Sequence, residues 1–120
     1  MNENKECILF NGPISKKHFL DKKYPGITEY LANKTFSSGE VMLIYNENLA
    51  VSPISTHIPL SKISNKISKS KIINNILTIN KFYKFYFKKM PNFAVLGLNP
   101  HCETSNKFSE EKKIIAPAIE

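Results

Sequence analysis

The sequence contains no arginine. Its 17 basic residues are all lysine, set against 10 acidic residues, for a net charge of +7. Arginine is the side chain that meets phosphates and base edges with two parallel hydrogen bonds, so its absence argues against a nucleic-acid partner despite the charge. The lysines accompany a high Ile and Asn content along the whole chain and read as compositional bias; an anionic small substrate is the other partner such a charge suits. Cysteine is also scarce. Cys7 and Cys102 lie far apart, so they build neither a disulfide framework nor a thiolate zinc site by themselves. No apolar run approaches the ~18 residues of a membrane span. The stretch Met1 to Glu6 is polar, with no secretory hydrophobic segment. No membrane partner and a cytoplasmic location are the expectation. Also missing are a Gly-x-Gly-x-x-Gly turn, a Walker phosphate loop and a His-Glu-x-x-His pair.

What is present is the material of a globular segment. Hydrophobic residues make up 42% of 120 residues, near the globular norm, and the length suits one small domain or part of a larger one. Cys7 to Phe10 is a short apolar run stopped by Asn11-Gly12-Pro13, the pattern of a buried strand and a tight turn. Ser15 is placed to cap a short helix to about Lys22, and Tyr24-Pro25-Gly26 breaks it. Thr28 to Asn33 forms a further helical turn, followed by a loop at Ser37-Ser38-Gly39. Val41 to Tyr45 and Leu49 to Ile54, separated by Asn46-Glu47-Asn48, predict a hairpin. Pro59 argues against a regular central strand, which puts His57 at a strand end or on a loop.

From Ser68 to Lys88 the period changes. Ile72, Ile73, Ile76, Leu77, Phe82, Phe85 and Tyr86 recur at steps of three and four, with lysines largely between them. That predicts an amphipathic helix capped by Ser68 and ended by Met90-Pro91. In this reading Phe82, Phe85 and Tyr86 face the core, and Tyr83 or Phe87 is left for a partner surface. Phe93 to Leu98 is the clearest buried strand. Ser109 followed by Glu110-Glu111 marks a helix N-terminus, where acidic side chains meet the positive end of the helix dipole. Strands alternating with helices, with one hairpin inserted, give an α/β class. The last helix is followed by no strand, so the expectation is a single incomplete α/β segment, residues 1–120, of a larger enzyme.

Two residues stand out chemically. His57 and His101 each follow an apolar strand and sit beside a proline. Strand ends are where α/β sheets bind ligands, and neutral imidazole is a common ligand for divalent metals. A hydrogen-bonding role is the commoner one for such a histidine, and the spacing names no third ligand. His18, on the first predicted helix, reads as a surface residue. Lys16 could meet a phosphate at a helix N-terminus, though a solvated lysine beside Lys17 is the simpler reading. Lys62, Lys66, Lys69 and Lys71 read as a solvated face.

Four short motifs, in order and closely spaced, carry a resemblance to a known family. They are Asn11-Gly12-Pro13-Ile14-Ser15-Lys16, Tyr24-Pro25-Gly26-Ile27-Thr28-Glu29-Tyr30, Ser55-Thr56-His57-Ile58-Pro59-Leu60 and Val95-Leu96-Gly97-Leu98-Asn99-Pro100-His101. With Glu110-Glu111 and the Ile114-Ile115-x-Pro117 helix behind them, they resemble segments of the 4-hydroxythreonine-4-phosphate dehydrogenases of pyridoxal phosphate synthesis. The resemblance runs from about Cys7 to Glu120. It implies part of an α/β/α domain like those of isocitrate and isopropylmalate dehydrogenases, with the site between two domains. It implies oxidation of 4-phosphooxy-threonine with NAD or NADP, followed by loss of carbon dioxide. It also implies a divalent metal (Zn, Mg or Co) held by three histidines, two of which match His57 and His101. The third lies past Glu120 and comes from the other subunit of a homodimer. Thr28 matches a substrate-contacting residue, and the cofactor site falls outside this chain.

Two departures follow from the same comparison. The family has a histidine before the substrate threonine, where this chain has Ile27, which cannot donate to a phosphate or carboxylate. After His101 the family carries a glycine-rich loop, whereas Cys102 to Ser109 has no glycine. The expectations are a fragment of a working dehydrogenase, inactive alone, or a degenerate remnant of the family. A basic nucleic-acid-binding module is the remaining alternative.

Overall fold

The computed structural model describes residues 9–15, 18, 23–99, 101 and 109–120. The chain divides into two units, Met1–Ser38 and Gly39–Glu120. The first holds helix α1, Ile27–Lys34. Gly26 precedes it in extended backbone, and its carbonyl accepts the Tyr30 N–H at 3.2 Å. Tyr24 meets the Tyr30 ring edge-on, with centroids 5.5 Å apart, and its hydroxyl donates to Asn33 Oδ1 at 2.7 Å. The Pro25-Gly26 break is thereby tied to the helix it starts.

The end of α1 is closed by two crossed bonds. The Ser37 N–H donates to the Ala32 carbonyl at 2.9 Å, and the Phe36 N–H donates to that of Asn33 at 3.3 Å. This closure requires a left-handed residue just past the helix, a place suited to glycine. Here it is Phe36, at φ 52°, with its side chain 98% exposed. Of the strand expected at Cys7–Phe10, Leu9 and Phe10 are exposed and outside any strand, and the other two residues lie outside those described. The helix expected from Ser15 to Lys22 also falls largely outside them. Within them, the His18 N–H donates to the Ser15 carbonyl at 3.1 Å, and His18 is exposed as expected.

The second unit is built on helix α2, Lys69–Phe82. Ser68 caps it as the sequence predicts, its hydroxyl accepting the Lys71 N–H at 3.3 Å. Ile72 and Ile79 are buried from this helix. Before it, turns at Leu60–Lys62 and Ser64–Lys66 carry the chain away from Pro59. After it come helix α3, Ala116–Ile119, and the wide turn Glu111–Ile115 that leads into it. Ile67, Ile72 and Ile115 form the buried centre, with Ile54, Ile63, Ile76, Val95 and Leu98 packed around it. Each fully buried isoleucine contributes roughly 1.5–3 kcal/mol.

Two sheet expectations are corrected. The hairpin is reduced to one antiparallel bridge, Ile44 with Val51, whose two N–H···O bonds are 2.8 Å each. Its turn is closed by the Asn46 N–H donating to the Leu49 carbonyl at 3.1 Å. Phe93 to Leu98, expected as a buried strand, joins no ladder among the described residues, and Leu96 is 84% exposed. The apolar pattern marks a segment that suits burial on both faces, but that burial needs neighbouring strands. The described residues do not supply them.

The aromatic cluster is also corrected. Tyr83–Phe87 forms a widened π-type turn, and Lys88 then ends the helix in the left-handed region at φ 54°. Tyr83, four residues after Ile79, continues the buried face of α2, and the wider turn rotates each residue by less than a regular helix does, which brings Phe87 back toward that face. Tyr83 and Phe87 turn inward, and Phe87 stacks on Tyr45 at 5.0 Å. Phe85 and Tyr86 are left two-thirds exposed.

Phe36 packs against little and holds an unfavourable backbone. Phe36→Gly is therefore expected to stabilise the first unit by roughly 0.5–1 kcal/mol, after allowing for the greater freedom of glycine in the unfolded chain. Urea unfolding of the two proteins, followed by circular dichroism, measures this; an unchanged or lower midpoint contradicts it.

Candidate functional site

Both candidate ligands fall on irregular, exposed backbone of the second unit. His57 is exposed and lies beyond the hairpin, before Pro59. Its φ is 55°, in the left-handed region that a side chain with a Cβ seldom enters. Such strain persists only where the surroundings fix it, and it clusters at functional positions. His101 is also exposed. Its backbone N–H donates to Asn99 Oδ1 at 3.0 Å, a side-chain turn that fixes its position relative to Leu98-Asn99.

That turn is held from the other side by Glu111. The Glu111 Oε1 accepts two backbone bonds, from the Leu98 N–H at 3.0 Å and the Asn99 N–H at 3.1 Å. The Oε2 accepts from the Ser109 hydroxyl at 2.9 Å. Ser109 is 1% exposed, and its buried hydroxyl also accepts the Lys112 N–H at 3.4 Å. Its carbonyl accepts the Lys113 N–H at 3.0 Å. Ser109 thus starts the C-terminal helical segment, as its sequence position predicts. The sequence assigned Glu111 only to the helix dipole; the structure gives it a link to backbone 12 and 13 residues away. The serine two residues before it is the local signal that this carboxylate is oriented.

Asn99 N–H, Glu111's own backbone N–H, the Ser109 hydroxyl and Leu98 N–H hold the Glu111 carboxyl below the usual carboxylate range, against a smaller opposing effect of burial.

Thr28 stands in the first turn of α1 and is half-buried, as is Ile27. Both belong to the first unit. The four lysines Lys62, Lys66, Lys69 and Lys71 follow the solvated-face reading except that Lys71 is half-buried. Lys16 lies outside the described residues, as does the segment Cys102 to Phe108. Among the described residues, no three His, Cys, Asp or Glu side chains gather as a metal site. No helix there is long and apolar enough to cross a membrane. An open apolar groove of about 790 Å³ runs between the hairpin, α2 and residues 91–98. Its walls include Leu43, Val51, Ile76, Ile79 and Leu98, and neither His57 nor His101 lines it. It is the uncovered side of the core, not the place where the candidate ligands lie.

The lowered Glu111 pKa has a definite sign. A carboxylate depressed on folding adds stability above its unfolded pKa, and that stability disappears as pH falls through the folded value. Glu111→Gln is therefore expected to melt below the parent protein at neutral pH. The gap should close under acid conditions, below about pH 4. A gap that persists unchanged at low pH would contradict this; melting curves across the acid range provide the measurement.

The sequence pattern of the family described as "Pyridoxal phosphate biosynthetic protein PdxA" matches residues 1–120. A 4-hydroxythreonine-4-phosphate dehydrogenase of Sulfurihydrogenibium sp. (strain YO3AOP1) is 38% identical over 121 residues, covering 98% of this chain and 38% of that protein. A D-threonate 4-phosphate dehydrogenase of Salmonella typhimurium is 36% identical over 114 residues, covering 92% of this chain and 35% of that one. In three dimensions, the crystal structure of 4-hydroxythreonine-4-phosphate dehydrogenase from Klebsiella pneumoniae superposes with a TM-score of 0.74 at 34% identity. It covers 90% of this chain and 34% of that chain. The chain thus spans little more than a third of the length of the relatives it matches. With the match running over all 120 residues, the chain belongs to the PdxA family of pyridoxal phosphate biosynthetic proteins.

Proposed function

We propose that this chain is the part of a PdxA-type dehydrogenase that presents two metal ligands and a substrate contact. The support is the family match along residues 1–120, together with two exposed imidazoles on irregular backbone at the matching motifs. The relatives are named for two substrates, 4-hydroxythreonine 4-phosphate and D-threonate 4-phosphate. Both are four-carbon acids with a β-hydroxyl and a terminal phosphate, so the substrate class is a phosphorylated β-hydroxy acid. Its oxidation to a β-keto acid with NAD or NADP prepares loss of carbon dioxide. The proposed setting is a cytoplasmic homodimer with an isocitrate and isopropylmalate dehydrogenase-like fold.

The donor chemistry fits a divalent metal in kind, since His57 and His101 are exposed imidazoles, and falls short in number. A divalent ion (Zn, Mg or Co) held there would polarise the hydroxyl being oxidised. The chain's own residues present and orient. His57 holds one ligand on a strained loop, and His101 holds another on the Asn99 turn. Thr28 offers a hydroxyl to the anionic substrate from the start of α1. The remaining ligand, the cofactor site and the rest of the substrate pocket belong to sequence beyond this segment. Ile27 favours a second reading, a family remnant without catalysis, because its side chain cannot hydrogen-bond an anion where the family has histidine.

Calorimetric titration of the purified chain with zinc tests the ligand assignment. Binding that is lost in both His57→Ala and His101→Ala supports it; binding that survives either substitution removes that histidine. The 120-residue chain by itself is expected to show no reduction of NAD or NADP with 4-phosphooxy-threonine. Turnover above background would overturn the placement of the cofactor site outside it.

A further inference from the structure

We infer that Glu111 and Asn99 are positioning residues for His101, an inference that rests on the reading of His101 as a metal ligand. Three observations carry it. A single carboxylate oxygen accepts from two consecutive backbone amides, Leu98 at 3.0 Å and Asn99 at 3.1 Å. The other oxygen is oriented by Ser109, a hydroxyl 1% exposed, at 2.9 Å. The residue whose backbone is gripped then turns its own side chain onto the His101 N–H at 3.0 Å. The relay runs from Ser109 to Glu111, to the Leu98-Asn99 backbone, to the Asn99 side chain, and so to His101.

The physical need for the relay is plain from the surroundings. Residues 93–98 join no sheet ladder among the described residues, so no strand pairing there fixes where this segment ends. His101 is itself exposed, so packing does not fix it either. A ligand on such a backbone loses affinity through the freedom of its own chain unless something orders it first. A charged acceptor on two amides is the stronger kind of hydrogen bond and spans from the C-terminal helical segment, whose Ile115 is anchored in the core. A hydrogen bond made directly to a ligating imidazole is typically worth about tenfold to a hundredfold in metal affinity, and a relay that orders the ligand's backbone should fall at the low end of that range.

The test compares the 120-residue chain with Glu111→Ala, Glu111→Gln and Asn99→Ala, by amide hydrogen exchange in NMR and by zinc titration. Glu111→Ala is expected to speed exchange at Leu98 and Asn99 by about tenfold or more. It should also shift the His101 amide and imidazole signals and weaken zinc binding by about tenfold. The Ile72 and Ile76 amides of α2 should keep their protection, which separates a local loss from unfolding. Glu111→Gln retains one carbonyl oxygen as an acceptor and should give a smaller change of the same kind. Asn99→Ala should move His101 and leave Leu98 protected. If His101 signals stay in place while Leu98 and Asn99 lose protection, the relay is wrong. Equal loss of protection in α2 with both Glu111 substitutions would likewise overturn it, as a purely structural role. If the parent chain binds no zinc yet the exchange pattern and the His101 shifts hold, the relay stands as a device that orders His101, and metal binding by these two histidines alone is removed.

Discussion

Burial of Ile115 against Ile67 and Ile72 is the contact on which the second unit depends. These three isoleucines bring together the C-terminal segment, the residue before the Ser68 cap and the inward face of α2. The half-buried Ile54, Ile63, Val95 and Leu98 extend the same apolar contact to the hairpin, the turns after Pro59 and the extended segment. A core with so few fully buried side chains has little stability in reserve, since folding stabilities are small differences between large terms.

That scarcity has a visible physical cause. The hairpin is held by one bridge, residues 93–98 join no ladder among the described residues, and large apolar side chains such as Leu49 and Leu96 remain exposed. The apolar groove beside α2 expresses the same shortage of covering structure. The chain spans little more than a third of the length of the relatives it matches. A sheet is stabilised by pairing of neighbouring strands and by cover on its faces, and among the described residues one bridge is all the pairing there is.

Within this thin framework, polar contacts do work that sheet pairing does elsewhere. Glu111, set on a segment anchored by Ile115, ties the end of the extended segment through its backbone amides. Tyr24 ties the break before α1 to its last turn through Asn33. Both are long side chains reaching across a change of direction, and both involve groups that remain partly in water. Hydrogen bonds of this kind contribute modestly to global stability and strongly to local position. The helix ends show the opposite tendency, because Phe36 and Lys88 hold left-handed backbone that glycine would take at lower cost.

The sequence by itself determined the features whose causes are local. The helical period through Ile72 and Ile76, the Ser68 cap, the Pro59 interruption that leaves His57 on a loop, and the helix start at Ser109 are all decided within a few residues, and each appears in the structure, although Ile79 rather than Leu77 is the next buried position. The motifs around His57 and His101 likewise carried the family. Tertiary structure alone decided the rest. Whether Phe93 to Leu98 becomes a strand depends on partners distant in the chain, and an apolar run cannot say that they are present. The widened turn brings Phe87 beside Tyr83 and onto Tyr45, a contact 42 residues apart that the helical period does not specify. The left-handed backbone at His57 and the grip of Glu111 on Leu98 and Asn99 arise from the same source. Each is imposed by where the rest of the chain packs, and hydrogen bonds across a dozen residues are written in the fold before they can be read in the sequence.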